Sequence, residues 1–263
     1  MLLRKYLVLM RANWGLVLEY RASMVIWMLT NILPLLMLAV WLSLAEEGPV
    51  GPYGPGEFVS YYLGVLLVRQ FTTVWVVWDL DRQIRLGELS PKLLRPFNPL
   101  HEHISFNLAD KLFRVPIVIP LILTVACLVP GVRYALTPLT VLAFVLALAG
   151  AWGIRFMSQY AFGLLSFWIS QGLALNDLWF AGFMLLGGLI APLDLFPPAI
   201  SQMVQLLPFR FMLSFPVEIV LGRLTLAEIL GGLGVQALWL VVFVGVSWGL
   251  WKRGLRQYSA VGA

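Results

Sequence analysis

Six long apolar stretches, roughly 22–44, 58–78, 113–130, 138–165, 178–192 and 228–250, run through this chain of 263 residues. A helix needs ~20 apolar residues to cross a bilayer, so these stretches decide the fold class. They are continuous, whereas a barrel strand alternates apolar with polar. The chain is 60% hydrophobic, its mean hydropathy is +0.88, and its 12% charged residues are about half the usual share. That excludes a soluble domain. The expectation is an all-α polytopic membrane protein: six transmembrane helices in one domain, 1–263, whose backbone satisfies itself inside helices.

Residues 1–21 mix Arg4, Lys5, Arg11, Glu19 and Arg21 with Leu, Val, Trp and Tyr. This reads as an amphipathic helix at the membrane interface, not as a cleavable signal, since no small-residue cleavage site follows the first apolar run before Glu46. Pro34 lies inside the first span and is expected to kink it. Asn176 and Asp177 read as the turn into the fifth span. Between the last two spans, 193–223 reads as a broken segment on the outer face. Pro197 and Pro198 open a short amphipathic helix there, with Ile200, Met203, Val204 and Leu207 on its apolar face, and a second short segment covers 209–221.

Charge fixes an orientation. Thirteen of the eighteen basic residues fall in the N-terminal segment, in a polar island at 79–114 and in the tail after Trp251. By the positive-inside rule both termini and the island face the cytosol, in the inner (plasma) membrane. The opposite side holds only Arg133, Arg210 and Arg223 and the acidic, Gly/Pro-rich loop 46–57. Basic residues at segment ends suit anionic lipid rather than nucleic acid. The lone Cys127 cannot form an internal disulfide.

The island carries Gly87-Glu88-Leu89-Ser90-Pro91-Lys92-Leu93-Leu94-Arg95-Pro96-Phe97-Asn98-Pro99-Leu100. Ser90 reads as an N-cap with Pro91 at the first helical position, and Pro96 stops the helix at Arg95. The result is about one and a half turns, too short to stand alone, with Leu93 and Leu94 as apolar knobs and Lys92 and Arg95 as charges. Such a segment needs a neighbouring surface to cradle it, which makes the island a docking site for a soluble partner. Glu88 is a further contact candidate.

Arg69 and Arg155 fall within or near apolar spans, where an unpaired charge costs several kcal/mol. Asp79, Asp177 and Glu218 are candidate partners, and inter-subunit pairing and substrate contact both remain open. His101-Glu102-His103 offers two metal ligands with nothing nearby to complete a closed site, so no metal is expected. No Gly-x-x-x-x-Gly-Lys-Ser/Thr motif occurs, so this chain is not expected to cradle ATP.

Three motifs carry a resemblance. The island sequence, Leu206-Leu207-Pro208-Phe209-Arg210 with Phe215-Pro216-Val217-Glu218 and Leu221-Gly222-Arg223, and the ending Trp251-Lys252-Arg253-Gly254-Leu255-Arg256-Gln257-Tyr258-Ser259-Ala260-Val261-Gly262 together resemble ABC-2-type permeases, in their uncharacterised export-system branch. The resemblance implies six spans, an interfacial N-terminal helix, a coupling helix at about 90–95 and a broken extracellular segment. It also implies two ABC ATPase subunits that bind ATP and Mg, and a second permease, identical or related. The expected role is a non-enzymatic export permease for an amphipathic substrate (drug, lipid or glycolipid), since no charged substrate cage is visible. An ATP-independent carrier or channel would need ionisable groups deep in the spans, and only Arg69 and Arg155 fit. A membrane enzyme would need a nucleophile–base pair or a metal site.

Overall fold

The computed structural model describes residues 2–29 and 32–258, and these form thirteen α-helices without a strand. They are α1 (Leu2–Glu19), α2 (Arg21–Leu29), α3 (Leu33–Ala45), α4 (Pro55–Thr72), α5 (Val76–Arg85), α6 (Ser90–Leu93), α7 (Pro99–Leu128), α8 (Pro138–Leu164), α9 (Gly172–Leu186), α10 (Pro198–Val204), α11 (Pro208–Met212), α12 (Ser214–Val220) and α13 (Leu226–Gln257). Four helical stretches are long and apolar enough to cross a membrane: Pro55–Arg85, Pro99–Leu128, Pro138–Phe167 and Leu226–Gln257. Leu33–Ala45 and Gly172–Leu186 are shorter apolar helices. The tail beyond Tyr258, and residues 30 and 31 of the expected first span, lie outside the described residues.

The first of the four is the centre of the molecule. Two-thirds of its apolar window (67%) is buried, against 17% for the last. Phe58, Tyr61, Tyr62 and Val65 of α4 meet Phe183, Leu189, Phe211, Phe215 and Val217 in the main core. The helices α7, α8 and α13 instead expose rows of Leu and Val, among them Leu121, Leu142 and Val241. Such faces suit lipid or another subunit.

The short elements follow from local chemistry. Pro34 sits in the first turn of α3, where its missing N–H costs nothing, so it starts a helix rather than kinking a longer one. Asn98 caps α7 by accepting from the Leu100 N–H at 2.9 Å. The helix of the expected third span therefore begins at Pro99, fourteen residues before the expected 113, and much of the island is helical. The helix α9 of the expected fifth span likewise begins at Gly172, with Asn176 and Asp177 inside it rather than in a turn before it.

The segment before α13 breaks repeatedly. Val204 of α10 is buried, but Ile200 and Met203 are exposed, and the helix ends at Val204, short of Leu207, which is half-buried. Pro208 then opens α11, Leu213 breaks the chain with φ −145° and ψ −70°, and α12 is buried at all seven residues. Glu218 of α12 pairs with Arg210 at 2.6 Å. This candidate counter-ion thus pairs with Arg210 of the neighbouring α11, and not with Arg155.

Two ends are distinct. At one, the Tyr53 hydroxyl donates to Asp194 at 3.1 Å, Arg223 donates to the same carboxylate oxygen at 3.0 Å and stacks on the Tyr53 ring, and Arg133 N–H donates to Ser60. Burial and the Asp194 carboxylate push the Tyr53 phenol well above its usual range, which keeps it a donor. The 46–57 loop, the turn before α8 and the broken segment thus meet. At the other end, Ser90 bonds Tyr258, Tyr6 bonds His101, and Arg85 donates to the Ser170 carbonyl.

Candidate functional site

The island resolves into a small helix held from three sides. Its turn begins one residue earlier than the capping pattern implies. The Leu89 carbonyl accepts from Lys92 and Leu93 N–H at 3.0 Å each, while Leu89 itself is fully buried. Ser90 does not cap α6; its hydroxyl is 3.1 Å from that of Tyr258, at the end of α13. Lys92 pairs with Glu102 at 2.9 Å, and Arg95 reaches the other oxygen of Glu102 at 3.6 Å. Glu88 pairs with Arg82 at 3.4 Å. The two expected knobs are unequal: Leu94 is 88% exposed, Leu93 36%. The segment is thus anchored to α7 and α13 by Leu89, Ser90 and Lys92, and one bare leucine remains at its tip. Glu102 and Tyr258, which hold it, carry no signal in the local motif.

Behind this segment lies a buried polar layer. On α7, His103, Asn107, Asp110, Lys111 and Arg114 are all buried, and their spacing of three and four places them on one face. Two of these, Lys111 and Arg114, count toward the cytosolic charge of the island in the sequence reading, yet both point into the protein. Arg114 Nε donates to both oxygens of Asp110 at 2.8 Å, and Nη1 reaches Gln70 at 3.4 Å. Lys111 donates to the Thr73 carbonyl at 2.6 Å and Asn107 does so at 3.4 Å. Trp152 of α8 in turn donates to Asn107 at 2.6 Å.

Thr73 explains this layer. The chain leaves helical geometry there, with φ −59° and ψ 131°, before α5 begins. A buried backbone carbonyl without a donor costs roughly 1–3 kcal/mol. Lys111 and Asn107 supply donors, so the break between α4 and α5 is fixed rather than loose. The helical periodicity of His103, Asn107, Asp110/Lys111 and Arg114 is the sequence signal that marks this face.

Beside the break opens a cleft of about 290 Å³, lined by Arg69, Thr73, Trp75 and Trp78 on one side and by Arg155, Gln159, Asn176 and Phe180 on another. Arg69 and Arg155, far apart in sequence, thus share one cavity. Asp177 is at its exposed edge, while Asp79 pairs with Arg82 at 3.8 Å. Arg155 lies over the Phe183 ring at 4.4 Å. The re-entrant candidates Pro197, Pro198, Val204 and Leu207 are in the broken segment, away from this cleft's lining. Among the described residues no three His, Cys, Asp or Glu side chains gather for a metal.

The described residues thus form a bundle of apolar helices with a small, pinned helix at one end and a charged cleft behind it. The family described as ABC-2 family transporter protein matches residues 23–262, and the chain belongs to that family. No curated protein matches the sequence.

The polar layer makes an asymmetric stability prediction. Asp110→Asn leaves Arg114, 1% exposed at its side chain, without its counter-charge and lowers stability by about 3–5 kcal/mol. Asp79→Asn, at a pair exposed by 42% and 59%, changes it by less than about 1 kcal/mol. Unfolding of the detergent-solubilised protein measures both, and equal effects contradict the buried pair.

Proposed function

We propose that this chain is the permease subunit of an ATP-driven exporter and works with two ABC ATPase subunits and a second permease, identical or related. ATP and Mg belong to the ATPases. The cargo is an amphipathic molecule: a drug, lipid or glycolipid. The observation that carries this reading is the exposed tip of α6, with Leu94 almost bare while Leu89, Ser90 and Lys92 are fastened to the bundle. A segment so held transmits a push from outside to α7 and α13. Glu88 and Arg95 flank the tip and are the polar contacts proposed for the partner; Leu93 is the second apolar one.

In this reading ATP binding draws the ATPases together. They favour one of two permease arrangements, and the population shifts because their contacts differ between the states. The six spans are the four long helices, α9 with the irregular chain after it, and α3 preceded by α2. Thirteen residues of α3 rise only about 20 Å, so the preceding helix is needed to complete the crossing. Both termini and α6 are cytosolic, in the inner membrane, with α1 at the interface. The segment from Pro197 and Pro198 through Val204 and Leu207 is re-entrant on the outer side.

Topology is testable by labelling. In a Cys127→Ala background, an impermeant thiol reagent on intact cells labels Glu47→Cys, and labels Leu86→Cys only after permeabilisation. Labelling of both from outside contradicts the arrangement.

Covering one leucine side chain contributes ~1.5–3 kcal/mol. Leu93→Asp with Leu94→Asp therefore weakens ATPase binding by at least about tenfold, while the permease still inserts. Titration of reconstituted permease with its ATPase measures the loss, and unchanged binding and turnover in the double variant remove α6 as the coupling element.

A further inference from the structure

We infer that the cleft beside the Thr73 break is a binding site for a phosphate-type anion, the headgroup of an anionic amphiphile whose apolar stem lies against Trp75, Trp78 and Phe180. Arg155 is 7% exposed, and its Nη1 is buried without a hydrogen-bond partner among the described residues. One turn further along α8, Gln159 is 6% exposed and its amide oxygen is likewise unpartnered. Spacing of four puts the two on one helix face, and both line the cleft. The amide ends of a glutamine are interchangeable in assignment, so Gln159 offers an N–H to an anion as readily as a carbonyl oxygen.

A guanidinium taken out of water is costly unless a charge-matched partner completes it. The Phe183 ring meets its face and orients it, but leaves the N–H edge free to donate. No carboxylate forms an ion pair with Arg155 among the described residues. The one acidic side chain in the lining, Asp177, is exposed at its edge, where it disfavours a second negative charge. Arg69 adds positive charge to the same cavity. Arginine is suited to phosphate because its planar fork donates two parallel hydrogen bonds. A volume of about 290 Å³ is at the small end of ligand sites, which run from ~300 to 1,000 Å³. It suits a headgroup and the first part of a chain rather than a whole drug. Two tryptophans and a phenylalanine around it argue for an apolar stem.

That the bound molecule is also cargo rests on the exporter reading; the binding does not, and a direct binding measurement without ATPase keeps the two apart. The purified protein in neutral detergent is titrated with oleoyl lysophosphatidic acid, with the matching monoacylglycerol that lacks phosphate, and with inorganic phosphate as a competitor. The expected result is at least tenfold tighter binding of the phosphate-bearing lipid than of the neutral one. Arg155→Gln abolishes that preference, Arg155→Lys retains part of it, and Gln159→Leu reduces it with Arg155 intact. Competition by inorganic phosphate at the same concentration as the lipid keeps the anion site and assigns it to free phosphate; absence of competition assigns it to the lipid headgroup. No preference in the wild type, or the full preference in correctly folded Arg155→Gln and Gln159→Leu, overturns the proposal.

Discussion

The fold depends on satisfying backbone groups wherever the chain leaves helical geometry inside an apolar body. Water does not compensate a carbonyl there, so each break needs a donor from the protein itself. Three sets of side chains supply them. Tyr61 donates to the Gly188 carbonyl at 2.6 Å, and Tyr62 and Trp41 to that of Ile190 at 2.7 and 2.8 Å. Gln236 donates to the Phe211 carbonyl and Trp239 to that of Leu206, both in the broken segment. Lys111 and Asn107 serve Thr73. Each donor comes from a helix other than the broken one, so the breaks also bind the bundle together.

Close packing does the rest. A Cβ on Gly254 would sit 2.1 Å from the Phe167 ring, and one on Gly232 2.2 Å from that of Phe215. At these two places α13 comes closer to its neighbours than a side chain allows. At Gly188 the backbone is at φ +87°, a conformation in which a glycine has no steric cost. That turn places the Gly188 carbonyl where Tyr61 reaches it. The same rigidity links the two candidate regions: α5 runs from the Thr73 break beside the cleft to the chain that leads into α6, and Leu80 and Ile84 pack it against Phe156 and Tyr160 of α8.

The helical, membrane-embedded character is legible in the sequence because continuous apolar length is a strong signal. The fourth span, 138–165, matches α8 nearly residue for residue. What the apolar runs hide is polar helix. Val76–Arg85 and the first four turns of α7 are helical but charged, so a reading by hydropathy takes them for a loop. Proline misleads once: Pro34 opens a helix instead of kinking one, whereas Pro91 opens a helix as expected, and only the residue before its first turn differs, through tertiary contacts such as Leu89 in the core and Ser90 on Tyr258. The candidate site is only half legible. Arg69 and Arg155 stand out as charges in apolar surroundings, but their shared cavity joins residues 86 positions apart, and no local pattern reports such a meeting. Hence the expectation of no charged cage, where the fold assembles two arginines.

The central claim is that α6 meets a nucleotide-hydrolysing partner through Leu94. A photo-crosslinking amino acid at Leu94, compared with one at Leu142 on the apolar face of α8, tests it in intact membranes. The account predicts that Leu94 yields an adduct with a separate polypeptide that an ATP photoaffinity probe also labels, and that Leu142 does not. Adducts with lipid alone at both positions, or a Leu94 adduct with a polypeptide that binds no ATP, would contradict it.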